Sequence, residues 1–218
     1  MEIKGKTIAF LGDSITEGVG ASSLKQSYVQ VFEKITGANV LNYGISGTRI
    51  APQIKPSEDP RHDLDFISRI KDIDESADAV IVFGGTNDFG HGDAPFGMMG
   101  DKTENTFCGS CYVLMKMLVE KYPLKPIIFI TPLHRVGEDK TVNRIGIQCK
   151  TLKSYVNIIR ETAEYFSIPV LDLYSNSGMQ PNIEEQNKMY FKDGLHPNDL
   201  GHERISNIIK TFLETNIS

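Results

Sequence analysis

Three cysteines in 218 residues are too few for a disulfide framework. Cys108-Gly-Ser-Cys111 has a redox or zinc-site spacing, but no second CxxC completes a zinc site. The pair follows a polar loop rather than a strand, so reduced, partly buried thiols are expected. Long apolar runs are also missing. Ala79–Phe83 and Ile127–Ile130 are far too short to span a bilayer, which excludes stable membrane insertion. Basic charge is not in excess: 23 Lys and Arg stand against 28 Asp and Glu, a formal charge of −5. Nucleic acid is therefore not an expected partner, since phosphate binding needs a concentrated basic face. Met1–Lys6 leads straight into a strand-like run, without an apolar signal core or a small-residue cleavage site. Cytoplasmic residence is the expectation. Neither repeat, low-complexity stretch nor Pro/Ser/Gly linker divides the sequence, so residues 1–218 read as one domain.

What is present is alternation. Short runs rich in β-branched residues, at Thr7–Leu11, Asn39–Asn42, Ala79–Phe83, Pro126–Thr131 and Pro169–Leu173, predict strands. Between them lie helical patterns at Ser27–Thr36, Leu64–Lys71 and Phe107–Tyr122. Leu152, Tyr155, Val156, Ile159, Ala163 and Phe166 recur at three-and-four spacing, as do Ile205, Ile208, Ile209, Phe212 and Leu213. Strands alternating with helices imply right-handed βαβ units and a parallel sheet. Ligands then bind beyond the carboxyl ends of the strands, where the winding reverses.

Four polar blocks fall at those ends: Gly12-Asp13-Ser14, Asn42–Thr48, Gly84–Asp88 and Asp193-Gly-Leu-His196. Together they supply the parts for acyl transfer. A serine hydroxyl is a weak nucleophile until a base removes its proton, and His196 is the candidate base for Ser14. Asp193, three residues earlier, would hold the imidazole and stabilise its cation. The oxyanion needs preorganised donors, for which the N–H groups of Ser14 and Gly47 and the amide of Asn87 are the candidates. Asp13 is expected to satisfy turn donors or cap a helix, Asp88 to play a supporting role behind the site, and Asn198 to cap the last helix.

These blocks resemble, in order and approximate spacing, the SGNH (GDSL) hydrolase superfamily, from residue 12 to residue 198. The resemblance implies a flavodoxin-like three-layer α/β/α sandwich with a five-stranded parallel sheet in order 2-1-3-4-5. It implies a serine esterase with Ser14 as nucleophile, Gly47 and Asn87 in the oxyanion hole, His196 as base and Asp193 as the triad acid. No metal or organic cofactor is required by such chemistry. The G-x-S-x-G elbow of the α/β-hydrolases is absent.

Around the site, Arg49, Phe89 and Arg135 are candidate substrate contacts, although a structural salt bridge competes for each arginine. His62, His91 and His134 read as surface residues of polar loops, and His202 as peripheral. Three long loops, Arg49–Pro60, Thr86–Asn105 and Pro132–Gly146, are expected to rim the site. The middle one, with Phe89, Pro95, Phe96, Met98 and Met99, offers an apolar wall, a lid or a contact within a homo-oligomer. The expected partner is a small-molecule ester, with short acyl groups on a polar carrier such as a carbohydrate. Longer-chain lysophospholipase or thioesterase activity is the alternative within the class. Outside it stand a metal-dependent phosphoesterase, using Asp13, Asn87, Asp88, Asp193 and His196, and a non-catalytic binding domain.

Overall fold

The structure, a computed structural model, describes residues 1–217. Its five strands are β1 (Thr7–Gly12), β2 (Asn39–Gly44), β3 (Ala79–Phe83), β4 (Ile127–Ile130) and β5 (Val170–Leu171). All pair in parallel in the order β2-β1-β3-β4-β5, as expected. The helices are α1 (Ser14–Glu17), α2 (Tyr28–Thr36), α3 (Phe66–Arg69), α4 (Thr86–His91), α5 (Phe107–Lys121), α6 (Leu152–Tyr165), α7 (Leu173–Asn176), α8 (Glu184–Tyr190) and α9 (Asp199–Asn216).

A sheet covered on both faces needs apolar residues at every strand position, and β3 is buried throughout. Alternate residues point to opposite layers. Ala9, Leu11, Val80, Val82 and Phe129 pack with α3, α5 and α6. Ile8, Phe10, Ile81, Ile128 and Ile130 pack with α2 and α9. Gly12 pairs with Gly44 on one side and Phe83 on the other, so three carboxyl ends finish level. The loops that follow them therefore meet at one edge.

Differences from the sequence reading have local causes. The expected strand Pro169–Leu173 shrinks to two residues, because the Asp172 carboxylate accepts the Ser175 N–H and starts α7. The helix expected over Leu64–Lys71 begins at Phe66, where Asp65 caps it, and ends in a 3₁₀ turn, Ile70–Asp72. The middle rim loop, expected to be irregular from Thr86, instead starts with α4. Cys108 and Cys111 lie buried in α5 as free thiols. Burial pushes Cys108 up to about 11 and raises Cys111 well above the usual thiol value, opposite to a redox-active pair.

His202 corrects the peripheral reading. It is fully buried, stacked at 11° to Tyr28. Its Nδ1 accepts the Tyr28 N–H at 3.2 Å, and its Nε2–H donates to Val19 O at 3.2 Å. Accepting at Nδ1 requires the neutral ring, and burial pushes its pKa down to about 4. Below the ordinary value of 6.5 the unfolded chain takes up a proton that the folded chain refuses until about 4. This contribution to stability is complete above that window and lost as pH falls through it. Urea titrations should show the stability gap between wild type and His202→Gln narrowing by up to about 1.4 kcal/mol per pH unit on acidification. A gap constant from pH 7 to pH 4 would refute the assignment.

Candidate active site

The turn after β1 opens α1, and the Asp13 carboxylate caps it by accepting the Ile15 N–H at 3.0 Å. That cap presents Ser14 at the start of the helix. Ser14 Oγ lies 3.1 Å from His196 Nε2, although the residues are 182 apart in sequence. His196 Nδ1 lies 2.7 Å from Asp193 Oδ2. The other oxygen, Asp193 Oδ1, accepts the N–H groups of Leu195 and His196 at 3.0 and 2.8 Å. Burial raises the Asp193 carboxyl, but the bonds from His196 and the nearby imidazole charge outweigh it and hold the group below its usual value. Asn198 accepts the Gly201 N–H and starts α9 immediately behind the histidine, as expected. An ionised carboxylate, an imidazole and a hydroxyl in series can deprotonate the hydroxyl and return the proton to a leaving group.

The donor side is built by the loop after β2. Gly47 has φ +77° and no room for a side chain, since a Cβ there would run into the His62 ring. Among the described residues, neither the Ser14 nor the Gly47 N–H has a hydrogen-bond partner. Asn87, in the first turn of α4, donates one amide proton to Thr48 O at 3.0 Å, leaving the second free. Asp88 accepts from Ile50 N and Ala51 N at 3.0 and 2.9 Å, which ties the loop to α4 as the support reading expected. Burial pushes Asp88 up to about 6 and Asp13 up to about 7, in each case partly offset by backbone N–H bonds.

Two braces were not legible in the sequence. Glu17 accepts from Ser46 N at 2.7 Å and from the Ser46 hydroxyl, coupling the serine helix to the Gly47 loop. Buried Arg69 donates to Tyr43 O, Gly12 O and Thr48 Oγ1, joining the ends of β1 and β2 to the same loop. Its place beside Phe66 and Ile70 on one helical face was the only signal of burial. Thr48 takes part in two of these contacts through different atoms.

Burial corrects two of the three candidate substrate contacts, Arg49 and Phe89. Arg49 is 2% exposed and spends its guanidinium on Asp63 Oδ1 (3.1 Å), His62 O (2.8 Å) and His91 Nδ1 (2.9 Å). A group so enclosed braces the loop and does not meet substrate. Phe89 is 4% exposed and packs edge-on against Tyr155, because the α4 turn rotates it into the core. Arg135 lies over the Phe89 ring at 5.5 Å and donates to Thr86 O and Oγ1. The next residue, Val136, donates its N–H to Gly194 O, so this loop supports the Asp193 turn. Among the described residues, no three His, Cys, Asp or Glu side chains converge in a way that could hold a metal ion. Asp13 and Asp88, two of the ligands a phosphoesterase would use, are occupied by backbone donors instead.

Nor do His62 and His91 lie free on the surface: both are half-buried, their ring centroids 6.2 Å apart. They line a cleft of about 680 Å³ with Ile54, Asp59, Arg144 and Ile147. His62 joins this cleft to the Gly47 loop. His134 is held by Glu138 at 2.9 Å and packs on Tyr174, 3.9 Å between ring centroids. A groove of about 630 Å³ along α9 contains none of the site residues. Among the described residues, no helix is long and apolar enough to cross a membrane.

A model of the GDSL-like lipase/acylhydrolase family matches residues 10–204. The chain is similar to a protein of known crystal structure from Lactobacillus plantarum, at 30% identity over 99% of this chain and 100% of that one, with a TM-score of 0.83. It is also similar to a lipase/acylhydrolase from Enterococcus faecalis, 21% identical over 96% of this chain and 95% of that one, with a TM-score of 0.68. At that identity the likeness shows the fold alone. No curated protein matches the sequence.

Proposed function

Because the chain belongs to the GDSL-like lipase/acylhydrolase family and is a hydrolase acting on esters, we propose that it works through an acyl-serine on Ser14 and removes short acyl groups from a polar carrier. The observation that carries this reading is the unbroken series Ser14 Oγ–His196 Nε2 (3.1 Å) and His196 Nδ1–Asp193 Oδ2 (2.7 Å) beside the Gly47 loop. His196 takes the Ser14 proton as Oγ attacks the carbonyl carbon. The resulting oxyanion is held by the N–H groups of Ser14 and Gly47 and by the free Asn87 amide proton. Collapse expels the alkoxide, which receives the proton from His196. Water then repeats the attack, its proton passing to His196, and the acid leaves with Ser14 restored. Asp193 keeps the imidazole in the tautomer that makes Nε2 the base and stabilises its cation.

Short acyl groups are favoured because the aromatic side chain expected to wall an acyl chain is withdrawn. Phe89 lies in the core, and the exposed Met98 and Met99 stand on a loop beyond α4. In a series of 4-nitrophenyl esters, kcat/KM is expected to be highest for acetate and to fall with each added pair of methylenes. Activity rising towards long chains would replace this reading with lysophospholipase or thioesterase chemistry.

A further inference from the structure

His91 is locked in one tautomer. Arg49 can only donate, so His91 Nδ1, 2.9 Å from Arg49 Nη1, accepts, and the ring proton sits on Nε2. Burial, followed by the charges of Arg49 and Arg144, pushes this imidazole down to about 3, so the ring is neutral near pH 7. The ring lines the cleft, and Nε2–H is its one free polar group. The reaction steps on Ser14 make no use of it.

The remaining lining selects among ligand classes. Lys55 and Arg144 are matched by Glu58, Asp59 and Asp93, so the cleft has no cationic excess for a phosphate-bearing carrier. Ile54, Ile145 and Ile147, exposed by 65%, 49% and 37%, share the lining with charged and polar side chains and do not make the wholly apolar wall a long acyl chain needs. Fixed donors and acceptors beside small apolar faces suit an uncharged ring carrying hydroxyls. His62, which lines the cleft, has its ring where a Cβ on Gly47 would lie, so the cleft borders the oxyanion loop.

Resting on the esterase reading above, we propose that this cleft binds the alcohol portion of the ester, an uncharged polyhydroxylated ring of saccharide type, with His91 Nε2–H donating to one of its hydroxyls. The proposal makes His91 a specificity-determining residue.

The test compares wild type, His91→Phe and Ile147→Trp on 4-nitrophenyl acetate and on mono-O-acetylated glucose. Ile147 is on the exposed rim, so its enlargement narrows the cleft without touching the Arg49 network. Both substitutions should lower the ratio of kcat/KM for acetylated glucose over 4-nitrophenyl acetate by about tenfold, chiefly through KM. A ratio unmoved in folded Ile147→Trp, or wild type that cleaves 4-nitrophenyl acetate but not acetylated glucose, overturns the cleft assignment while sparing the esterase reading. Wild type inert towards 4-nitrophenyl acetate overturns the esterase reading and this inference with it.

Discussion

Ser14→Ala is expected to lower kcat for 4-nitrophenyl acetate by about 10⁴–10⁶-fold, and adding His196→Ala should cost little more. The two side chains form one proton-transfer unit across 3.1 Å, so losing either disables both. The residual rate would come from binding and the oxyanion donors, which the substitutions leave in place. Among the described residues, Ser14 Oγ has no hydrogen-bond partner other than His196, so Ser14→Ala should unfold at nearly the wild-type temperature. Burst-phase kinetics add a second readout, because an acyl-serine predicts rapid nitrophenol release that the alanine variant lacks. Equal hydrolysis by wild type and Ser14→Ala would remove Ser14 as nucleophile.

Asn87→Ala is expected to lower kcat by about 10²–10³-fold with a much smaller change in KM. The free amide proton strengthens its bond only as the carbonyl oxygen acquires charge, so its loss falls on the transition state. The same substitution removes the 3.0 Å bond to Thr48 O, but Asp88 and Arg69 still hold the loop. A modest fall in melting temperature should therefore accompany a large fall in turnover. A KM increase at constant kcat would instead make Asn87 a substrate-binding residue.

The legible part of this protein was governed by local chemistry. Continuous apolar runs in β1 and β3, helical spacing in α6 and α9, and polar blocks directly after strands all leave marks within a few residues. Asp13 capping α1 and Asn198 capping α9 belong to the same class, since an Asx side chain reaches only two or three residues ahead. Phe89 and His202 misled for a shared reason. A polar neighbourhood in sequence says nothing of which face a short helix buries, and α4 turns Phe89 inward within one turn. His202 looked peripheral until Tyr28 N and Val19 O, both more than 170 residues distant, satisfied its two ring nitrogens.

The sequence alone determined the parallel α/β fold and the residue types available for acyl transfer, because strand burial and reactive side chains are properties of short segments. Tertiary structure alone decided the rest. It set Ser14 against His196, spent Arg49 on bracing a loop, and turned His91 into a fixed donor in a cleft. The reason is physical: hydrogen-bond partners, burial and tautomers depend on groups brought within about 3 Å from distant parts of the chain. No local pattern encodes that proximity.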